Sequence, residues 1–289
     1  MNKIVWCLGC GLLNMVPLNA QQNEQIEVSP YELVWSDEFS TDGRPDSLKW
    51  DYEQGFARNH ELQWYQEDNA RCENGLLVIE AREEKRPNPW YRAGSSGDWR
   101  FSRENIEYTS ASITTRGKYS FRYGRLEVRA RIPGGKGAWP AIWTLGDKME
   151  WPSCGEIDIM EFYRIQGSPV IMANAAWGGE RRWTAIWNSR PTPLLHFLEK
   201  NPDWLTEFHV WRMDWDEKAI RLYLDDELLN EIILEKTYNG SLGEFANPFM
   251  QSHYILLNLA LGGDNGGPVA QSAMPMRYEV DYVRVYQKK

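Results

Sequence analysis

The chain has 289 residues, 42% hydrophobic and 25% charged, a globular composition that excludes a disordered or multi-span membrane protein. Its formal charge of −9 argues against nucleic acid or an anionic membrane face as the main partner, because both demand a basic footprint. The 15 Trp exceed what one core requires, so part of that surplus is expected to bind something.

Met1 to Ala20 reads as a signal peptide, with Lys3 as its positive region, Ile4 to Leu13 as its apolar core and Leu18-Asn19-Ala20 as a cleavage site. Gly9, Gly11, Asn14 and Pro17 dilute the apolar run, so no membrane span of about 20 apolar residues is expected. A lipid-modified Cys10 is the alternative anchor. The expected location is secreted, periplasmic or extracellular. Cys7 and Cys10 leave with the leader, and Cys72 and Cys154 remain, too few for a disulfide scaffold or a Cys-rich zinc module. Two free buried thiols are favoured over one bridge. Residues 21–30 form a polar lead-in. No repeat, low-complexity tract or long linker divides the rest, so 31–289 is read as one domain.

Strand periodicity dominates that domain. From Arg125 to Ile132, Leu126, Val128, Ala130 and Ile132 fall on one face and Arg125, Glu127, Arg129 and Arg131 on the other. The same period suggests strands at Leu76 to Ala81, Ser110 to Thr115, Ile220 to Leu224, Tyr254 to Leu259 and Arg277 to Tyr286. Asp225-Asp226 predicts a hairpin that returns through Leu228 to Leu234. Many short strands with little helical periodicity indicate an all-β sandwich of two sheets, of jelly-roll type. Two longer aromatic insertions, Pro87 to Arg103 and Asn188 to Trp204, read as loops that wall a groove.

The chemistry concentrates at Glu156-Ile-Asp-Ile-Met-Glu161. Regular pleating puts Glu156 and Asp158 on one face but sends Glu161 to the isoleucine face. A β-bulge near Met160 would return Glu161 to the other two acids, and bulges recur beside active sites. Two carboxylates projected into a groove suit glycoside hydrolysis, where one attacks the anomeric carbon and the other protonates the leaving oxygen. Three crowded acids also push at least one pKa upward. A calcium site or a solvated acidic strand is the plainer alternative; calcium wants six to eight oxygen ligands, and Ile, Met, Phe and Trp flank these acids.

That run resembles the active-site signature of glycoside hydrolase family 16, in its bulged-strand, laminarinase-like branch. The segments Trp35 to Phe39, Asn59 to Leu62, Tyr108 to Ala111, Tyr123 to Glu127, Gly137 to Trp143, Asn258 to Gly263 and Val280 to Tyr286 resemble the family in its order. The resemblance implies a concanavalin-like β-jelly-roll sandwich of two curved antiparallel sheets, with substrate across the concave one. It implies Glu156 as nucleophile, Asp158 as its assisting acid and Glu161 as general acid/base, with retention of configuration and no cofactor for catalysis. It also implies Trp139, Trp143 and Trp151 as sugar platforms and Asn59 and Arg125 as polar groups nearby. A structural calcium at Glu38, Gly75 and Asp281 is implied for some members.

One departure stands out. Where laminarinases of the family carry Gly-Thr-Val-His, this chain reads Ala173-Asn-Ala-Ala-Trp177, with Ala176 at the histidine position. Asn174, Trp177, Trp183 and Trp187 are therefore read as a second group of substrate contacts. The expected enzyme is a monomeric endo-acting β-glycanase whose partner is a polysaccharide or glycan chain. β-1,3-Glucan or mixed-linkage β-1,3-1,4-glucan leads, endo-β-1,4-galactosidase action on poly-N-acetyllactosamine or mucin O-glycans is the rival, and a non-catalytic lectin-like sandwich is the alternative of another class.

Overall fold

Period-two alternation of apolar and polar residues builds most of the molecule, and the computed structural model, which describes residues 30–289 apart from residue 96, shows two packed sheets. The leader at 1–20 and the lead-in up to residue 29 lie outside the described residues. Tyr31–Lys289 is one compact unit. No helix among the described residues is long and apolar enough to cross a membrane.

In chain order the strands are β1 (Tyr31–Asp37), β2 (Asp51–Tyr52), β3 (Gln63–Tyr65), β4 (Ala70–Glu73), β5 (Leu76–Pro87), β6 (Asn105–Ser110), β7 (Ser112–Thr114), β8 (Gly124–Arg131) and β9 (Ala138–Gly146). They continue as β10 (Glu156–Ile165), β11 (Ser168–Gly178), β12 (Ala185–Pro193), β13 (His209–Trp215), β14 (Ala219–Leu224), β15 (Glu227–Ile233), β16 (His253–Leu261) and β17 (Met276–Lys288). One sheet runs β15-β14-β13-β8-β17-β5-β6-β3, with β1 on β17 and β4 on β5; the other runs β12-β11-β10-β9-β16-β7-β2. The ladders are antiparallel, except that β3 pairs with β6 in parallel.

Alternation decides what each strand buries. In β8, Leu126, Val128 and Ala130 are fully buried while the charged residues between them stay partly open. They meet Trp211, Met213 and Trp215 of the neighbouring strand and the inner faces of β10, β11 and β16 in one core. The predicted hairpin forms with positive φ at Asp225 (45°) and Asp226 (68°), the left-handed pair that matches strand twist in a two-residue turn. Cys72 and Cys154 are free and buried.

Three segments depart from the sequence reading. Ser110 to Thr115 is not one strand: β6 ends at Ser110, Ala111 is buried, and β7 continues in the opposite sheet. The Asn188 to Trp204 segment is not an irregular loop either. Its first part extends edge strand β12, a short helix spans Leu194–Leu198, and Trp204 packs in the core between Phe197 and His209. Past Pro87, which ends β5, the insertion to Arg103 lies outside the sheets, but its Trp90 and Trp99 pack onto Phe56, Trp64 and Ile106 instead of facing the groove.

The two faces of β8 should respond differently to truncation. Leu126→Ala is expected to cost about 2–5 kcal/mol of folding stability, whereas Arg129→Ala, which removes a partly exposed ion pair with Asp281, should cost no more than about 1 kcal/mol. Chemical denaturation of both variants checks the assignment.

Candidate active site

β10 carries its acids into a cavity of about 550 Å³ on the outer face of the seven-stranded sheet. Gly155 precedes it with φ +79°, in a position where a Cβ would lie 2.8 Å from Pro248, so only glycine delivers the chain to Glu156 without strain. From there Glu156 and Asp158 point outward and Ile157 inward. Asp158 pairs with Trp143 of β9 and Met160 with Ile142, so Ile159 is the additional residue. On the other side, Asp158 pairs with Asn174 and Glu161 with Met172. Ile159 and Met160 both enter the core, and Glu161 returns to the face of the other acids.

Indole N–H groups fix the two glutamates. Trp151 Nε1 donates to Glu156 Oε2 at 2.5 Å, and Trp139 Nε1 donates to Glu161 Oε1 at 2.9 Å. Asn174 Nδ2 donates to Glu161 Oε2 at 3.0 Å. Asp158, 1% exposed, lies between them.

Burial raises all three carboxyl groups. Asp158 goes well above the usual carboxylate range because the charges of Glu156 and Glu161 add to its burial, and its hydrogen bond to Glu156 keeps the proton on Asp158. That same bond, with Trp151 and the Arg58 charge, opposes the rise at Glu156. Glu161 is pushed up to about 7 by burial and then by the Glu156 charge, against the donors Trp139 and Asn174. The site therefore holds a protonated Asp158 beside Glu156, and a Glu161 that titrates near neutrality.

A second charged layer lies along the cavity. Arg58 is stacked over the Trp143 ring at 5.0 Å and ion-paired with Glu53. Burial opposes its charge, but Glu53 and Glu61 keep it protonated. Glu61 Oε2 accepts from Gln63 Nε2 at 2.7 Å and Tyr65 OH at 3.1 Å. Trp143 Nε1 donates to Asn258 Oδ1 at 2.8 Å, and Asn258 Nδ2 donates to Tyr65 OH at 3.0 Å. Arg58, Glu61 and Asn258 are cavity residues that the sequence reading missed. Asn258 carried a signal, as a polar side chain in the otherwise apolar run from Tyr254 to Leu261.

Of the expected contacts, Asn59, Trp139, Trp143, Trp151, Asn174 and Trp187 line the cavity together with the three acids. Three do not. Arg125 lies on the other sheet, where it donates to Asp214 at 2.6 and 3.0 Å and covers the Tyr31 ring; Arg58 supplies the cavity's guanidinium instead. Trp177 stands three residues from Asn174, so alternation turns it inward, and it packs edge-on against Phe249 in the core. Trp183 lies beyond the cavity, stacked on Trp151.

The two carboxylates among the implied calcium ligands are engaged by arginines. Both Glu38 oxygens accept from Arg284, at 2.9 and 2.7 Å, and Asp281 pairs with Arg129. Among the described residues no group of three or more His, Cys, Asp or Glu is placed to hold a metal.

Comparison with known proteins decides the family. A model of glycosyl hydrolases family 16 matches residues 56–284. The chain belongs to that family. It is 37% identical to a β-glucanase of Rhodothermus marinus over 97% of this chain and 91% of that protein. Among solved structures it resembles the catalytic domain of an endo-1,3-β-glucanase (laminarinase) from Thermotoga petrophila, with a TM-score of 0.73 and 33% identity over 90% of this chain and 98% of that one. It also resembles a structure from a study of endo-acting O-glycanases with which prominent members of the human gut microbiota initiate mucin breakdown, with a TM-score of 0.77 and 36% identity over 91% and 92%. As a family 16 member the protein is an endo-acting glycoside hydrolase of the jelly-roll fold, and it needs no cofactor for catalysis.

The raised carboxyl of Glu161 has a stability consequence. The folded state holds a proton there up to about pH 7 that the unfolded chain releases near its ordinary value of about 4.3. Stability therefore falls as pH rises between those values and stays reduced above them. Glu161→Gln should raise the thermal midpoint at about pH 8 and leave it nearly unchanged at about pH 4, measured by calorimetry.

Proposed function

We propose that this family 16 enzyme cleaves internal β-glycosidic bonds with retention of configuration, Glu156 acting as nucleophile, Asp158 as its assisting acid and Glu161 as general acid/base. The observation that carries the reading is the bulge at Ile159. It presents three carboxyls on one face of β10 in a Trp-lined cavity, with Glu161 titrating near 7.

In the first step protonated Glu161 gives its proton to the glycosidic oxygen as that oxygen leaves the anomeric carbon, while Glu156 attacks the same carbon from the opposite face. Protonated Asp158 holds the attacking carboxylate through their hydrogen bond. In the second step Glu161 takes a proton from water, the hydroxide so formed displaces Glu156, and both side chains return to their starting states. A lectin-like binder needs none of this, since raised, paired carboxyls add nothing to sugar stacking.

The substrate we infer is β-1,3-glucan or mixed-linkage β-1,3-1,4-glucan, supported by similarity to β-glucanases along nearly the whole chain. A galactose-containing mucin-type glycan is the second reading. It is favoured by likeness to the O-glycanase structure and by Ala176, which pairs directly with Glu156 across the β10–β11 ladder. The enzyme acts outside the cytoplasm in this reading, which the apolar run near residue 10 supports.

Glu156→Gln and Glu161→Gln should each lower turnover by about 10²–10⁴ while oligosaccharide binding survives; unchanged turnover removes the role assigned. The wild-type rate is expected to fall as pH rises through about 7, where Glu161 loses its proton, and to fall in acid as Glu156 gains one. Proton NMR should show the β-anomer first. Digestion of laminarin, barley-type glucan and a keratan-like glycan side by side decides the substrate, and cleavage of the last alone overturns the glucan assignment.

A further inference from the structure

A second cavity, of about 210 Å³, opens beside the first and shares Trp151 with it. Its wall includes Trp183, Arg181, Arg182, Ser153 and Leu242. Trp183 is 54% exposed and sits at φ +63°, a conformation that bulky side chains rarely adopt and that clusters at binding sites. Its ring stacks on Trp151 with centroids 6.5 Å apart and planes 22° from parallel. Arg182 lies over the same ring at 5.0 Å and pairs with Glu150 at 3.0 Å. The Arg181 guanidinium has no partner among the described residues.

The position of this cavity identifies its occupant. The catalytic cavity draws on β12, β11, β10, β9 and β16, which are successive neighbours in the sheet, so a glycan backbone in it runs across the strands. The second cavity draws on the segment before β10, the end of β11 and the 179–184 turn. It is displaced along the strands, off the line of the cleft. The next backbone sugar does not reach it without a sharp turn, but a substituent on a sugar near Trp151 does. An exposed indole suits the C–H face of a pyranose, and the rim supplies two guanidiniums, a carboxylate and a hydroxyl for its hydroxyl groups. Glu150 neutralises Arg182, and the unpaired Arg181 guanidinium is left as a hydrogen-bond donor for the hydroxyl groups of a neutral sugar.

We infer that Trp183 and the cavity beside it bind a neutral hexopyranose branch carried on the glycan backbone, which makes the enzyme prefer branched over linear chains. The inference rests on the glucan reading above. Its test compares a linear β-1,3-glucan oligosaccharide with the same backbone bearing one β-1,6-linked glucosyl residue, using wild type, Trp183→Ala and Trp183→Tyr.

Trp183→Ala should raise KM for the branched substrate about tenfold, the loss of one aromatic stacking contact. Its kcat should hold, and both parameters on the linear substrate should stay within about twofold. Trp183→Tyr should recover most of the branched KM. Equal losses on both substrates, or a fall in kcat on both, make Trp183 a support for Trp151 and overturn the inference, as does no loss on the branched substrate. A wild-type enzyme that cuts neither oligosaccharide overturns the glucan reading and the branch assignment with it. One that cuts both without a selective effect at Trp183 leaves the reading standing and removes only the inference.

Discussion

Three carboxyl groups on one face of one strand repel each other and resist burial, and the remainder of the site is arranged around that conflict. Asp158 resolves part of it by keeping its proton, which converts a repulsion with Glu156 into a hydrogen bond. The indole donors of Trp151 and Trp139 resolve another part, each meeting one oxygen of one glutamate. What remains is a rise at Glu156 and, at Glu161, a carboxyl pushed up to about 7. Full compensation there would leave an ordinary acid, ionised at neutral pH and unable to give up a proton.

The aromatic residues of the cavity thus do more than offer flat surfaces. Trp139, Trp143 and Trp151 each use the indole N–H on a partner within the site, which fixes the ring planes before any sugar arrives. Trp143 is further held between Asn258 and the Arg58 guanidinium. The insertion packed behind this region helps hold the same loop: Arg103 donates to the backbone oxygens of His60 and Glu61 at 2.9 and 2.6 Å. A Cβ on Gly55 would overlap Trp90. Arg103 lies over the Phe56 and Trp99 rings, so aromatic residues remote from the cavity support the segment that carries Asn59 and Glu61 into it.

Much of this was legible in the chain. The alternation of β8 gives its buried face residue by residue, and the three acids in six residues require a bulge if they are to act together; the extra residue falls at Ile159, next to the predicted Met160. Sequence proximity misled where alternation was not applied. Trp177 looks like a neighbour of Asn174 but stands on the opposite face. Arg125 lies in a motif that resembles the family, yet its strand belongs to the ten-stranded sheet, where it pairs with Asp214 of the neighbouring strand.

Fold class, the buried face of a strand such as β8 and the clustering of the acids on β10 are readable from the residues alone, because they follow from spacing along one strand. Which residues from distant segments meet is set by the packing of the two sheets and their loops. Arg58, Glu61 and Asn258 join the cavity through contacts between loops and strands far apart in the chain, and Trp183 reaches Trp151 across a turn. The proton on Asp158 and the raised carboxyl of Glu161 belong to the same category, since both depend on burial and on charges that the folded sheet brings within reach.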